Sequence, residues 1–231
     1  MPKRQPNSVT VEMRTDYEPW RACSKEDSRP MLTGVYVDPK GYLVAADGFM
    51  LAVVPAKVRG PKTFTGAILP APALEMAHRA IGRSSNTVSF TLDVESGRAT
   101  VPVKASKGVL GTMGVDLITG TYPRWRALIP ERKGMGARKY VAYDPTLIGR
   151  LARAIGSWPA TINMAKGNGP AIILGHEGAF GVVMPMFAQE PDPKALSRVF
   201  RLRETPPLVP SRTDDLPPPA EIAEREAQKE G

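Results

Sequence analysis

Residues 9–14, VTVEMR, alternate apolar and polar side chains, the pattern of a strand with one face in a core. A short helical candidate follows over residues 17–26, which Pro19 restricts to its first turn. MLTGVYVD and YLVAAD then read as two strands with Pro39, Lys40 and Gly41 as the turn between them, and FMLAVVPAKV continues as a strand. The order recurs. TGAILP opens a second copy, and a helix over residues 71–82 places Leu74, Ala77, His78 and Ile81 on one face. NTVSFTLDV, GRATVPVKA and GVLGTMGVDL supply its three strands. RKYVAYD opens a third copy, whose helix over residues 145–156 carries Leu147, Ile148, Leu151 and Ile155 on its buried side. TINMAKG, AIILG and AFGVVMPMF follow as strands, with residues 167–170 (GNGP) and 175–178 (GHEG) as turns.

The copies are unevenly spaced, which excludes a solenoid. They form a small set of β-α-β-β-β units and predict an α+β fold, with antiparallel sheets covered on one face by helices. Two lobes are expected to meet near residues 123–130. Residues 1–8 read as a flexible polar lead. From residue 189 onward the chain is rich in proline and charge and poor in aromatics, the composition of a disordered tail.

Charge changes the picture next. The 231 residues carry 31 Lys and Arg against 23 Asp and Glu, a net charge of +8 with a pI near 9.7. Such a balance suits a polyanionic partner, either nucleic acid or an anionic membrane surface. The helices localise it. Arg79 and Arg83 are four apart on the second-copy helix, and Arg150 and Arg153 are three apart on the third-copy helix, each pair opposite the apolar side. Either pair alone reads as an ordinary solvated face. Two pairs in equivalent places point to a common anionic surface, and contacts of this kind address phosphates without reading sequence. No zinc-finger spacing or basic-region heptad is present.

Three short motifs give the pattern a family likeness. Residues 28–54 contain Ala45-Ala46-Asp47-Gly48-Phe49-Met50-Leu51-Ala52, residues 120–130 read GTYPRWRALIP, and residues 181–186 read GVVMPM. In this order they resemble the middle-domain strand and turn, the connector into the last domain, and the closing Val-Met-Pro-Met of the bacterial DNA polymerase III beta sliding clamp family. The resemblance covers about residues 9–188. It implies a DNA-clamp-like fold, shortened to the middle domain (9–126), a connector (127–137) and the second half of the last domain (138–188). It also implies a non-catalytic processivity factor that holds double-stranded DNA and tethers DNA polymerase or other replication proteins by short peptides. The family closes rings of twelve such units, so three units per chain allow a homo-oligomeric ring, a partial assembly or pairing with a complete clamp.

In the family, partner peptides enter a pocket between the middle and last domains. The matching wall positions are Leu32, Ala46, Gly48, Phe49 and Leu51 from the first motif region, Pro123 and Leu128 from the connector, and Val182, Met184, Pro185 and Met186 from the closing strand. Two departures alter it. Ala46 replaces the family's usual Thr, and Phe49-Met50 replaces His-Arg, which makes the pocket more apolar and removes a donor. Methionine suits a surface that accepts several peptides. The plainer reading makes these residues core packing, and it weighs most on Leu51 and Val182.

An enzyme finds little support. His78 lies on an apolar helix face, His176 lies in a turn, and Cys23 has no neighbouring His. Asp47 reads as a turn residue that accepts a backbone amide. No metal spacing or phosphate-binding loop is present, so no cofactor is expected. Gly134-Met135-Gly136 reads as a linker. The single cysteine excludes an intrachain disulfide, and the sequence has no apolar run for a secretory leader or membrane span, which gives a cytoplasmic expectation. The rival class is a clamp-like adaptor or regulator that binds replication proteins, or another clamp, without encircling DNA.

Overall fold

The computed structural model describes residues 8–82, 85–104, 110–130, 141–157, 160–164 and 169–186. Residues 1–7 of the lead, Arg83, the 134–136 linker and the tail from 189 lie outside the described residues. Twelve strands and two α-helices are present among those described.

Five strands form one antiparallel sheet in the order β5-β1-β7-β8-β9: β1 (Ser8–Arg14), β5 (Lys57–Arg59), β7 (Thr87–Asp93), β8 (Arg98–Lys104) and β9 (Leu110–Asp116). Seven form the other, in the order β10-β11-β12-β4-β3-β2-β6: β2 (Gly34–Asp38), β3 (Tyr42–Ala46), β4 (Met50–Pro55), β6 (Ala67–Pro70), β10 (Thr161–Met164), β11 (Ala171–Leu174) and β12 (Phe180–Val183). All pairings are antiparallel. The first two units exchange strands. β1 of the first unit pairs with β7 of the second, and β6 of the second pairs with β2 of the first.

The sheets differ in what covers them. β7 alternates strictly, with Val88, Phe90 and Leu92 buried and Thr87, Ser89 and Thr91 exposed, so the outer face of its sheet meets water. β4 is buried on both faces. Met50, Ala52 and Val54 join the main core, while Leu51 and Val53 join a second cluster on the opposite face. This two-sided burial explains why residues 31–54 read as nearly continuous apolar runs. FMLAVVPAKV was expected as one strand but divides at Pro55-Ala56, and its halves enter different sheets.

The helices are α1 (Ala71–Ile81) and α2 (Pro145–Ala154). Asp144 caps α2 by accepting from the Thr146 amide at 2.7 Å; the Thr146 hydroxyl's hydrogen bond, and then the amide's, hold the carboxyl below its ordinary pKa. The helical candidate over residues 17–26 reduces to a 3-10 turn at Pro19–Ala22. One turn cannot cover the sheet, and α2 of the third unit packs there instead. The Glu18 amide donates to the Ala154 carbonyl at 3.1 Å, and Leu151, Ala154 and Ile155 enter the same core as Val9, Leu43 and Leu74. Gly181 of β12 lies under α2, where a Cβ would stand 2.5 Å from Leu151 Cγ. The third unit therefore extends the seven-stranded sheet and shares its core rather than standing as a second lobe. Its expected opening strand is, among the described residues, a single bridge between Ala142 and Met186.

Candidate functional site

The two distant segments singled out in the sequence meet. β12 pairs with β4 in the register Val182 to Leu51 and Val183 to Met50, and the Met184 amide donates to the Phe49 carbonyl at 2.9 Å. Leu32, Ala46, Leu51 and Val182 are buried together in the outer cluster, beneath Tyr122 and Trp125. Phe49, Met184 and Met186 are exposed by 61%, 45% and 55%. Pro185 is half-buried between the two methionines. Pro123 is exposed, as is Leu128 at 52%, and both belong to the connector over the cluster.

The turn that presents Phe49 is built by Asp47 and Gly48. Asp47 Oδ1 accepts from the amides of Phe49 and Met50, both at 3.0 Å, as expected of a turn aspartate. Gly48 has φ +101°, a conformation that L side chains rarely adopt. The second carboxylate oxygen pairs with Arg150 Nη1 at 3.1 Å.

The connector is fixed by a buried charge that the sequence did not advertise. Asp38, 2% exposed, receives two hydrogen bonds from the Arg126 guanidinium at 2.8 and 3.0 Å and one from Trp125 Nε1 at 3.2 Å. Its own turn adds the Lys40 amide at 2.8 Å. Burial pushes the Asp38 carboxyl up, but the hydrogen bonds from Arg126, Lys40 and Trp125 outweigh it, and the pKa lies below the ordinary value. Arg126 also lies 4.1 Å over the Trp125 ring, and Tyr122 stacks on Tyr36 at 4.9 Å. Asp38 and Arg126 are 88 residues apart, and no local pattern could pair them.

The arginines of the two helices differ in use. Arg79 is exposed and pairs with Glu75 one turn earlier at 2.7 Å. Arg153 is exposed on α2. Arg83 lies outside the described residues. Arg150 turns inward, donating from Nε to the Arg21 carbonyl at 3.1 Å in addition to its pair with Asp47.

No nucleophile or metal centre emerges among the described residues. Burial, with the Asp47 charge nearby, pushes the Cys23 thiol up to about 12, which leaves it unreactive as a thiolate. His78 bonds the Thr15 carbonyl at 2.8 Å and packs on Trp20. Among the described residues no group of three or more His, Cys, Asp or Glu could hold a metal ion, and no helix is long and apolar enough to cross a membrane.

The architecture is similar to that of bacterial sliding clamps. The DNA polymerase III beta subunit from Thermotoga maritima matches with a TM-score of 0.57 at 16% identity, over 82% of this chain and 69% of that one. The DNA polymerase sliding clamp from Pseudomonas aeruginosa matches with a TM-score of 0.61 at 15% identity, over 81% and 70%. That from Bacillus subtilis gives 0.54 at 15%, over 78% and 64%. At such identities the likeness establishes the clamp-like α+β fold. No family model and no curated protein sequence matches this chain.

Proposed function

We propose that this protein is a clamp-like processivity factor. It holds duplex DNA without reading sequence and tethers DNA polymerase or other replication proteins by short peptides at the Phe49–Met184 patch. It is not an enzyme, it works in the cytoplasm, and it assembles with copies of itself. The observation that supports the reading is the meeting of β4 and β12, which sets the exposed Phe49 opposite the exposed Met184, with the exposed Met186 two residues further on. Large exposed apolar groups beside a sheet suit an extended peptide with a Leu or Phe anchor.

Replacing Met184 and Met186 by Ser weakens binding of a polymerase-type clamp-binding peptide by about tenfold or more, since full burial of a methionine contributes roughly 1.5–3 kcal/mol and these two, already about half-buried, gain only part of that when the peptide covers them. Calorimetric titration of wild type and variant checks this. Equal affinity in both, or no binding to the wild type, leaves the motif as packing only.

DNA binding is tested apart from it. Arg79, Arg83 and Arg153 changed together to Gln lower affinity for every duplex sequence and reduce the salt slope by about 0.9 for each phosphate no longer neutralised. Arg150 is left intact because its side chain is engaged within the fold. Unchanged binding by the triple variant places DNA elsewhere. Light scattering on an eluting peak separates a closed oligomer from the monomer that an adaptor would give.

A further inference from the structure

We infer that Arg150 is a positioning residue for the Phe49 patch, acting through Asp47; this rests on the peptide-binding reading above. Arg150 belongs to α2 of the third unit, far along the chain from the turn it serves. Its guanidinium is shared between two parts of the first unit. Nε donates to the Arg21 carbonyl at 3.1 Å, at the 3-10 turn, and Nη1 pairs with Asp47 Oδ2 at 3.1 Å. Asp47 is the pivot of the patch. Its other oxygen holds the amides of Phe49 and Met50, and the Phe49 carbonyl in turn accepts from Met184, where the chain leaves β12. One side chain thus sets the rotamer of the carboxylate whose far oxygen shapes both segments of the patch.

The electrostatics favour this role. Asp47 is 10% exposed and Arg150 37% exposed, so their attraction is less screened than that of a surface pair. A largely buried carboxylate with one oxygen committed to backbone amides loses orientation when the cation on its other oxygen goes. The two parts of Asp47's work are therefore coupled, and Gly48, at φ +101° beside it, has the backbone freedom of a glycine, so the turn depends on the carboxylate to hold it. Arg150 also lines a cavity of about 770 Å³ with Trp20, Lys25 and Pro72, so its outer side is open to solvent from the helices.

The test uses the full chain with Arg150→Gln, Arg150→Lys and, as a same-helix control, Arg153→Gln. Amide hydrogen exchange at Phe49 and Met50 is read first, because it needs no peptide. Arg150→Gln speeds it by on the order of tenfold while exchange in β1 and β7 stays at the wild-type rate. Arg150→Lys restores part of the protection, since an ammonium can reach Asp47 without bonding the Arg21 carbonyl as well. Arg153→Gln, whatever it does to DNA binding, leaves exchange at Phe49 and Met50 and in β1 and β7 at the wild-type rates. Peptide affinity in Arg150→Gln falls roughly 3- to 30-fold, and in the Asp47→Asn background the same replacement has little further effect. Unchanged exchange at Phe49 and Met50 overturns the inference, as does equal acceleration in β1 and β7, which would mark general destabilisation. Faster exchange with no peptide bound by the wild type would leave the positioning role standing and sink the peptide reading alone.

Discussion

Leu151→Ala lowers the stability of the whole folded body by about 3 kcal/mol and moves a single unfolding transition. Leu151 is fully buried on α2, and its side chain presses on β12 at Gly181. The core it belongs to draws on all three units: Val9 and Leu43 from the first, Leu74 from the second, and Ile173 from the third. Truncation leaves a cavity between α2 and β12 that the packed core cannot fully close, because interiors are packed near the density of organic crystals. A loss of this size lowers the midpoint by roughly 6–12 °C for a body of this length. Thermal unfolding followed by circular dichroism checks it. A second transition appearing in the variant, or a loss below about 1 kcal/mol, would show that the third unit folds on its own and only touches the rest.

The second large effect is expected at the connector. Arg126→Ala costs about 2–3 kcal/mol at neutral pH, since it strands a buried carboxylate that retains only Trp125 and the Lys40 amide. The partner is half-exposed, which keeps the figure at the low end for such pairs. The sign with pH follows from the direction of the shift. The Asp38 carboxyl titrates below its ordinary value in the folded chain, so its contribution is complete above the unfolded carboxylate pKa of about 3.9. It is lost as pH falls through the lower folded value. Wild type therefore loses stability into that acid window more steeply than Arg126→Ala, in which the cause of the shift is gone. Denaturant unfolding at pH 7 and pH 3 measures both. Equal acid sensitivity in the two proteins would mean that Asp38 is not what holds the connector. Because Pro123 and Leu128 ride on that connector, peptide affinity should fall in parallel with its release.

How much of this was legible in advance depended on range. Periodicity alone placed the strand–helix–strand order, because a half-buried strand such as β7 and an amphipathic helix such as α1 declare their buried faces within a few residues. The same local rule misread residues 49–58 as one strand. Nothing in the pattern distinguishes a strand that continues from one that leaves its sheet at Pro55-Ala56, since both halves remain apolar. It also set Arg150 and Arg153 side by side as a pair offered to an anionic surface. Helical spacing fixes which residues share a side, but not that a carboxylate and a carbonyl from the first unit would wait on that side for one of them.

The sequence by itself determined the fold class, the three-unit order and the apolar identity of Phe49, Met184 and Met186, because each is written in local composition and spacing. Tertiary structure alone decided that β12 pairs with β4, that α2 covers the place left by a one-turn helix, and that Asp38 waits 88 residues upstream of Arg126. The reason is physical: these arrangements come from satisfying a sheet edge, an uncovered apolar face and a buried charge, and each need is met by whichever distant segment the chain can bring to it.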